Sequence, residues 1–240
     1  MKRNDILKLI KSKIFKEYKK IPHWQHDLYH IRRVVREGKK LAKLEKLSSK
    51  DAFLVELACY LHDLGRNKEN DGLLFLQSNH AEISYEMSKQ ILKPYEKNLG
   101  RESIFKILQA IREHSLPALK HPENKIAQIL LDADRGSGIN YLGIFTMLTY
   151  FKVVDYQIIR SDQKAKLELN NLTQIIVSQN KIEEAIIRLN YYKDWYYGNS
   201  KQQISEAKVA SLYTRSAKRI YQPKIKIIED YIDKLENFKK

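Results

Sequence analysis

The chain has almost no cysteine. Cys59 stands alone in 240 residues, which excludes an internal disulfide and a thiolate metal cluster and points to a reducing cytoplasm. Glycine (8) and proline (5) are also scarce, and strand-like alternation is nearly absent, so little interrupts helix. No apolar run approaches the roughly 20 residues of a membrane span. The basic stretch Met1–Lys20 spaces its apolar residues (Ile6, Leu7, Ile10, Ile14, Phe15) instead of massing them, as an amphipathic helix does and a signal peptide does not. Repeats and low-complexity linkers are lacking too. Hydrophobic content of 43% and charged content of 30% suit a soluble globular chain.

Acidic residues fall short of basic ones, leaving a net charge of +15. The excess is uneven. Residues 1–60 carry 16 basic and 7 acidic side chains, residues 61–140 carry 11 of each, and residues 141–240 carry 17 and 11. The middle third is balanced, and the excess flanks it. Such flanks attract a phosphorylated substrate, nucleic acid or an anionic membrane. Lysines that only solvate helix faces give the same count.

The organising stretch is Cys59-Tyr60-Leu61-His62-Asp63-Leu64-Gly65. Leu54, Leu57, Ala58 and Leu61 recur at helical spacing, so a helix is expected from about Ser49 to Gly65 with His62 and Asp63 in its last turn. Neighbouring side chains there diverge by about 100° but can converge on a metal between them. Upstream, Ile21-Pro22-His23-Trp24 breaks the N-terminal helix, and Asp27 is the expected N-cap of a helix over 28–47. Its apolar face holds Ile31, Val34, Val35, Leu41 and Leu44, and His30 shares that face. Downstream, Asn70-Asp71-Gly72 is a turn signal. Asn79-His80-Ala81-Glu82 then reads as a capping box, putting His80 in the first turn of a helix that ends before Pro94.

A helix over 103–114, closed by Leu116-Pro117, turns His114 inward with Ile111 and Ala110. A further helix over 124–134 ends on Asp132 and Asp134. These lie about 200° apart, so only one of them can share a given site. Beyond Gly138, helices are expected over 140–160, 166–178, 181–197 and 202–238, the last broken near Pro223. Tyr141, Tyr150, Tyr156, Tyr191, Tyr192, Tyr196 and Tyr197 interleave with lysine there, either as core and interface or as a platform for bases.

His30, His62, Asp63, His80, His114 and Asp134 thus form a set of inward-facing imidazoles and carboxylates. Burying such groups unpaired costs several kcal/mol each. A divalent metal removes that cost, and nitrogen and oxygen donors without thiolate suit Mn²⁺, Fe²⁺, Ni²⁺, Zn²⁺ or Mg²⁺ alike.

The order His30 … His62-Asp63 … Asp134 resembles the HD superfamily of metal-dependent phosphohydrolases. The contexts Asp27-Leu28-Tyr29-His30-Ile31-Arg32-Arg33-Val34, Leu61-His62-Asp63-Leu64-Gly65 and Leu131-Asp132-Ala133-Asp134-Arg135 carry the likeness across residues 20–150. It implies an all-α fold: a single helical HD-type domain with additional C-terminal helices. The expected organisation is an N-terminal amphipathic helix over 1–20, the HD core over 21–150, and helices packing on it over 151–240. By the same resemblance, His30, His62, Asp63 and Asp134 hold one metal, with His62 and Asp63 at the centre of catalysis. In binuclear members two further histidines, here His80 and His114, hold a second ion bridged by the aspartate. Some single-metal relatives keep only the later one, as a phosphate contact. No Gly-Tyr-Pro signature appears, which points away from cyclic dinucleotides.

Divalent ions in such a site activate water and clamp phosphoryl oxygens for in-line attack. Arg66 and Lys68, just past the dipeptide, are candidates for neutralising substrate phosphate, and His26 is a candidate substrate or supporting contact. The expected activity is hydrolysis of a phosphomonoester or diester in a nucleotide or other small phosphorylated metabolite. A nucleic-acid enzyme or binder and a non-catalytic nucleotide sensor are the alternatives.

Overall fold

The computed structural model describes residues 1–21, 26–68, 79–114, 122, 124–150, 152–155, 159–176, 179–197 and 212–239. The expected breaks at Pro22-His23-Trp24, Asn70-Asp71-Gly72 and Leu116-Pro117 lie outside them. The fold is all-α, with one isolated antiparallel bridge, Val154 to Ile176, among the described residues. The chain divides into two compact units, Met1–Asp134 and Arg135–Lys240.

In the first unit, α1 (Arg3–Tyr18) buries Ile6, Ile10, Ile14 and Tyr18, a stripe at four-residue spacing, and leaves its lysines outside. Next come α2 (Leu28–Leu44) and α3 (Ser49–Leu61), then a 3-10 turn over Leu64–Lys68 and α4 (His80–Leu92). The short α5 (Glu96–Leu99) precedes α6 (Arg101–Glu113), and α7 (Lys125–Ser137) follows. Between α5 and α6, Gly100 takes a φ of +84°, a conformation glycine adopts without strain.

α3 is the apolar centre, burying a continuous run from Phe53 to Leu61 except Glu56. α2 packs tightly against it. A Cβ on Gly38 would lie 2.6 Å from Cys59 Sγ and 3.3 Å from Val55 Cγ1, so glycine sets how closely the two helices approach. The Cys59 thiol is wholly buried, and burial pushes its pKa up, away from the reactive thiolate.

Two expectations about helix ends are corrected here. α3 stops at Leu61, not Gly65. His62 is its C-cap, with its N–H donating to Ala58 O at 3.0 Å. The helix cannot run on because the Gly65 N–H donates instead to Ser84 Oγ on α4 at 2.8 Å. The capping box at the start of α4 does not form either. Asn79 sits at the N-cap position without a side-chain cap bond, and Glu82 is drawn into a two-pronged pair with Arg112 at 2.7 and 2.9 Å. Asp27 does cap α2, accepting from Tyr29 N at 2.7 Å and His30 N at 3.3 Å. Asn124 accepts from Ala127 N and starts α7 in the same way.

The second unit holds α8 (Tyr141–Tyr150), α9 (Asp162–Asn170), α10 (Leu172–Ile175), α11 (Gln179–Tyr197), α12 (Arg215–Tyr221) and α13 (Lys226–Lys239). The helix expected over 140–160 ends at Tyr150. Lys152 takes a left-handed φ of 56°, and Val153 N–H turns back to Leu148 O. The one expected over 166–178 begins at Asp162, where Ser161 caps it, and breaks at Asn171 into α9 and α10. That expected over 202–238 lies partly outside the described residues and is interrupted at Gln222–Ile225, where Pro223 forces a 3-10 turn. Tyr141 and Tyr231 meet edge to face at 6.1 Å, flanked by Lys166 and Lys234 over their rings. Among the described residues no helix is long and apolar enough to cross a membrane.

Candidate metal centre

Five short stretches of the first unit supply the cluster. The Asp27 cap fixes the start of α2 and places His30 in its first turn. The end of α3 delivers His62 and Asp63, the first residue of α4 delivers His80, and the C-cap of α6 delivers His114. Asp134 comes from the last turn of α7. His62, Asp63 and His80 are at most 3% exposed, and His30 and His114 are nearly as buried. Of the two α7 aspartates, Asp134 faces the histidines, whereas the fully buried Asp132 belongs to none of the candidate ligand groups.

Asp63 is the hub. Its Oδ2 lies 3.5 Å from both His30 Nε2 and His62 Nε2, and its Oδ1 lies 3.7 Å from His80 Nε2 and 3.5 Å from His114 Nε2. Asp134 Oδ1 adds contacts of 3.3 Å to His30 Nε2 and 3.7 Å to His62 Nε2. One carboxylate therefore presents each oxygen to a different pair of imidazoles.

The tautomers follow from the hydrogen bonds. His62 Nδ1 contacts the Cys59 carbonyl at 3.0 Å and His114 Nδ1 contacts the Ile111 carbonyl. A carbonyl only accepts, so both Nδ1 atoms carry a proton, and each ring turns its Nε2 toward Asp63. This is how a protein orients an imidazole toward a metal. Burial drives the His62 pKa down to about 4, so the ring is neutral at pH 7. Burial would raise the Asp63 carboxyl, but His62, Arg66 and His26 around it hold it well below the usual range. Asp134 is likewise lowered, through His30 and His62, in spite of its burial.

These residues fit a divalent cation. The Nε2 atoms of His30 and His62 are buried and make no hydrogen bond, a costly state that a cation relieves. With metal–ligand bonds of about 2.1 Å, neighbouring ligand atoms lie about 3.0 Å apart in an octahedron and about 3.4 Å apart in a tetrahedron. The contacts between His30, His62, Asp63 and Asp134 fall close to that range. Three groups keep their ligand atoms within 4.8 Å of one another: His26–His30–Asp63, His30–His62–Asp134 and His62–Asp63–His114. His80 Nε2 faces His114 Nε2 at 3.2 Å, two nitrogens turned to a common point.

The flanking candidates divide. His26 Nδ1 lies 2.9 Å from Asp63 Oδ2, a direct contact with the hub. Arg66 Nε lies 3.3 Å from Asp63 Oδ1. Lys68 is exposed and touches none of the cluster among the described residues. Sequence reasoning missed Gly65 and Ser84. A Cβ on Gly65 would come within 2.2 Å of His80 O and 2.9 Å of Ser84 N, so only glycine lets the turn after Asp63 lie against α4. Ser84, fully buried, sits four residues after His80 on the same helix face, which was the available signal.

An all-α unit closed around a His-Asp cluster is the setting in which the family comparison falls. Residues 27–137 match the family model described as the HD domain. Among solved structures the chain is similar to Bacillus subtilis YpgQ in complex with ADP. The identity is 18%, with 99% of this chain and 96% of that chain covered and a TM-score of 0.55. It is also similar to a predicted HD superfamily hydrolase from an uncultured Thermotogales bacterium. There the identity is 22%, with 68% of this chain and 87% of that chain covered and a TM-score of 0.45. No curated protein matches the chain.

Proposed function

We propose that this protein is a metal-dependent phosphohydrolase acting on a nucleotide or other small phosphorylated metabolite. The observation that carries the reading is the division of Asp63: Oδ2 toward His30 and His62, Oδ1 toward His80 and His114. In this reading His30, His62, Asp63 and Asp134 hold one divalent ion. His80 and His114 hold a second, with Asp63 between the two. Bound ions of this kind lower the pKa of a water and neutralise phosphoryl oxygens, which is the chemistry phosphoester hydrolysis requires.

The chain's own groups have defined parts. Asp63, held ionised at any pH near neutrality, keeps the two halves of the site at a fixed spacing. His26 hydrogen-bonds its Oδ2 and fixes the carboxylate plane. Arg66 lies against its Oδ1 and brings a permanent positive charge to the side where a phosphate would enter. Neutral His62 keeps its lone pair available because burial resists its protonation. Nucleotides are the first substrates to test, since YpgQ, which shares the fold, was crystallised with ADP.

The test is metal analysis of purified protein beside a screen of phosphorylated metabolites before and after chelation. Turnover that disappears with the chelator and returns with one added divalent metal supports the reading. Protein that retains no metal and turns over no phosphoester contradicts it.

A further inference from the structure

Among the described residues one guanidinium near the cluster, that of Arg33, stands in no hydrogen bond or ion pair. Arg33 lies on α2 three residues after His30, hence on the same side of the helix and about 60° short of a full turn. Its side chain is half-buried, and its Nε is shut off from water without a hydrogen bond. Among the described residues it makes no hydrogen bond or ion pair at all. Burial lowers its pKa, Asp27 and Asp134 oppose that, and Arg36 adds to it. Both carboxylates therefore act on Arg33, yet neither stands at ion-pair distance.

Other arginines around the first unit are engaged. Arg66 meets Asp63 at 3.3 Å, Arg101 meets Glu96 at 2.6 Å, and Arg112 takes Glu82 with two nitrogens. A guanidinium Nε held away from water without an acceptor is an expensive feature. Its planar fork matches two oxygens of a phosphate, and such charge-assisted pairs are the strong ones. Its backbone position, three residues past His30 on α2, is close to the candidate metal centre.

We propose that Arg33 is an anion-binding residue of this site, gripping substrate phosphate through its guanidinium fork. The inference rests on the phosphohydrolase reading for the identity of its ligand. Arg33 would bind oxygens away from the reacting bond, so its loss raises KM more than it lowers kcat. Arg66 differs in having its Nε already against Asp63.

The experiment uses the full chain loaded with Mn²⁺, inorganic phosphate as the probe in calorimetry, and p-nitrophenyl phosphate for turnover. Arg33→Met keeps the apolar stem, and Arg33→Lys keeps the charge without the fork. We expect unchanged metal content. Phosphate binding should weaken about ten- to hundredfold in Arg33→Met and about tenfold in Arg33→Lys, with KM rising in parallel. Wild-type phosphate affinity in both variants, with only a lowered Tm, would make Arg33 a structural residue and overturn the inference. Wild-type protein that binds no phosphate overturns it too. Phosphate binding that depends on Arg33 in a protein without turnover supports the inference and sinks the hydrolase reading instead. If Arg33→Met does not fold, Arg33→Lys alone decides.

Discussion

Gly65→Ala tests how the turn after the His-Asp pair is held against α4. Gly65 does not need a positive φ, so the cost of a methyl group is steric and not conformational. The new Cβ would meet His80 O at 2.2 Å, with Ile83 Cβ and Ser84 N both at 2.9 Å. A carbon and a carbonyl oxygen sit no closer than about 3.3 Å, so α4 or the turn must give by about 1 Å. The first clash is with backbone at the start of a helix, and no flexible side chain can absorb it. Overpacking of this kind costs about 1–3 kcal/mol, and contact on three atoms argues for the upper end. At roughly 2–4 °C per kcal/mol for a chain of this size, Tm should fall by about 6–12 °C. The same displacement moves His80 relative to Asp63, and a 1 Å error in a site costs about a hundredfold in rate. Melting of metal-stripped protein separates the packing effect from lost metal, and turnover after metal is restored reads the second. A variant that melts within about 2 °C of wild type and keeps its activity would show that the turn has room for a methyl group.

His62 makes the metal-free protein sensitive to acid. Its folded pKa is about 4 against an ordinary 6.5, so the unfolded chain binds a proton that the folded chain resists. Stability is full above 6.5 and falls as pH drops from 6.5 to 4. About 3 kcal/mol is lost across that window, with no further loss from this group below it. Urea midpoints at pH 7, 5.5 and 4 should show the decline, and His62→Gln should flatten it; equal slopes for both proteins would contradict the assignment. Asp134→Asn should weaken metal binding at least about tenfold, whereas Asp132→Asn should chiefly lower Tm, and the reverse pattern would exchange their roles. Neutralising the exposed Lys8 and Lys16 of α1 and Lys19 at its C-cap should leave kcat for a small phosphoester within about twofold, because solvent-exposed charges are screened beyond about 8 Å. A large loss would favour a polyanionic substrate.

The helices of the first unit were legible because their signals are local. Ile6, Ile10 and Ile14 mark one face of α1, and Asp27 marks the start of α2. His30, His62, Asp63, His80, His114 and Asp134 could be gathered because each sits at the end or on the inward side of an apolar helix. What escaped depends on contacts between distant segments. The end of α3 at Leu61 is set by a bond from Gly65 to Ser84, 19 residues away. The absence of a capping box at Asn79 follows from Arg112 claiming Glu82 across 30 residues. Arg33, inside the pair Arg32-Arg33, reads in the sequence as a solvated charge; only burial of its Nε sets it apart. The break at Lys152 gives no propensity signal, since lysine rarely takes a left-handed φ.

Metal stoichiometry of wild type and His114→Ala, measured side by side with phosphoester turnover, addresses the central claim. His114 and His80 face Asp63 Oδ1, while His30, His62 and Asp134 gather around the other oxygen. A binuclear centre should give about two metals per chain in wild type and about one in His114→Ala, with activity down by orders of magnitude. One metal per chain in wild type, unchanged in His114→Ala, would contradict the binuclear centre. It would leave His114 as a contact to phosphate, visible as a rise in KM.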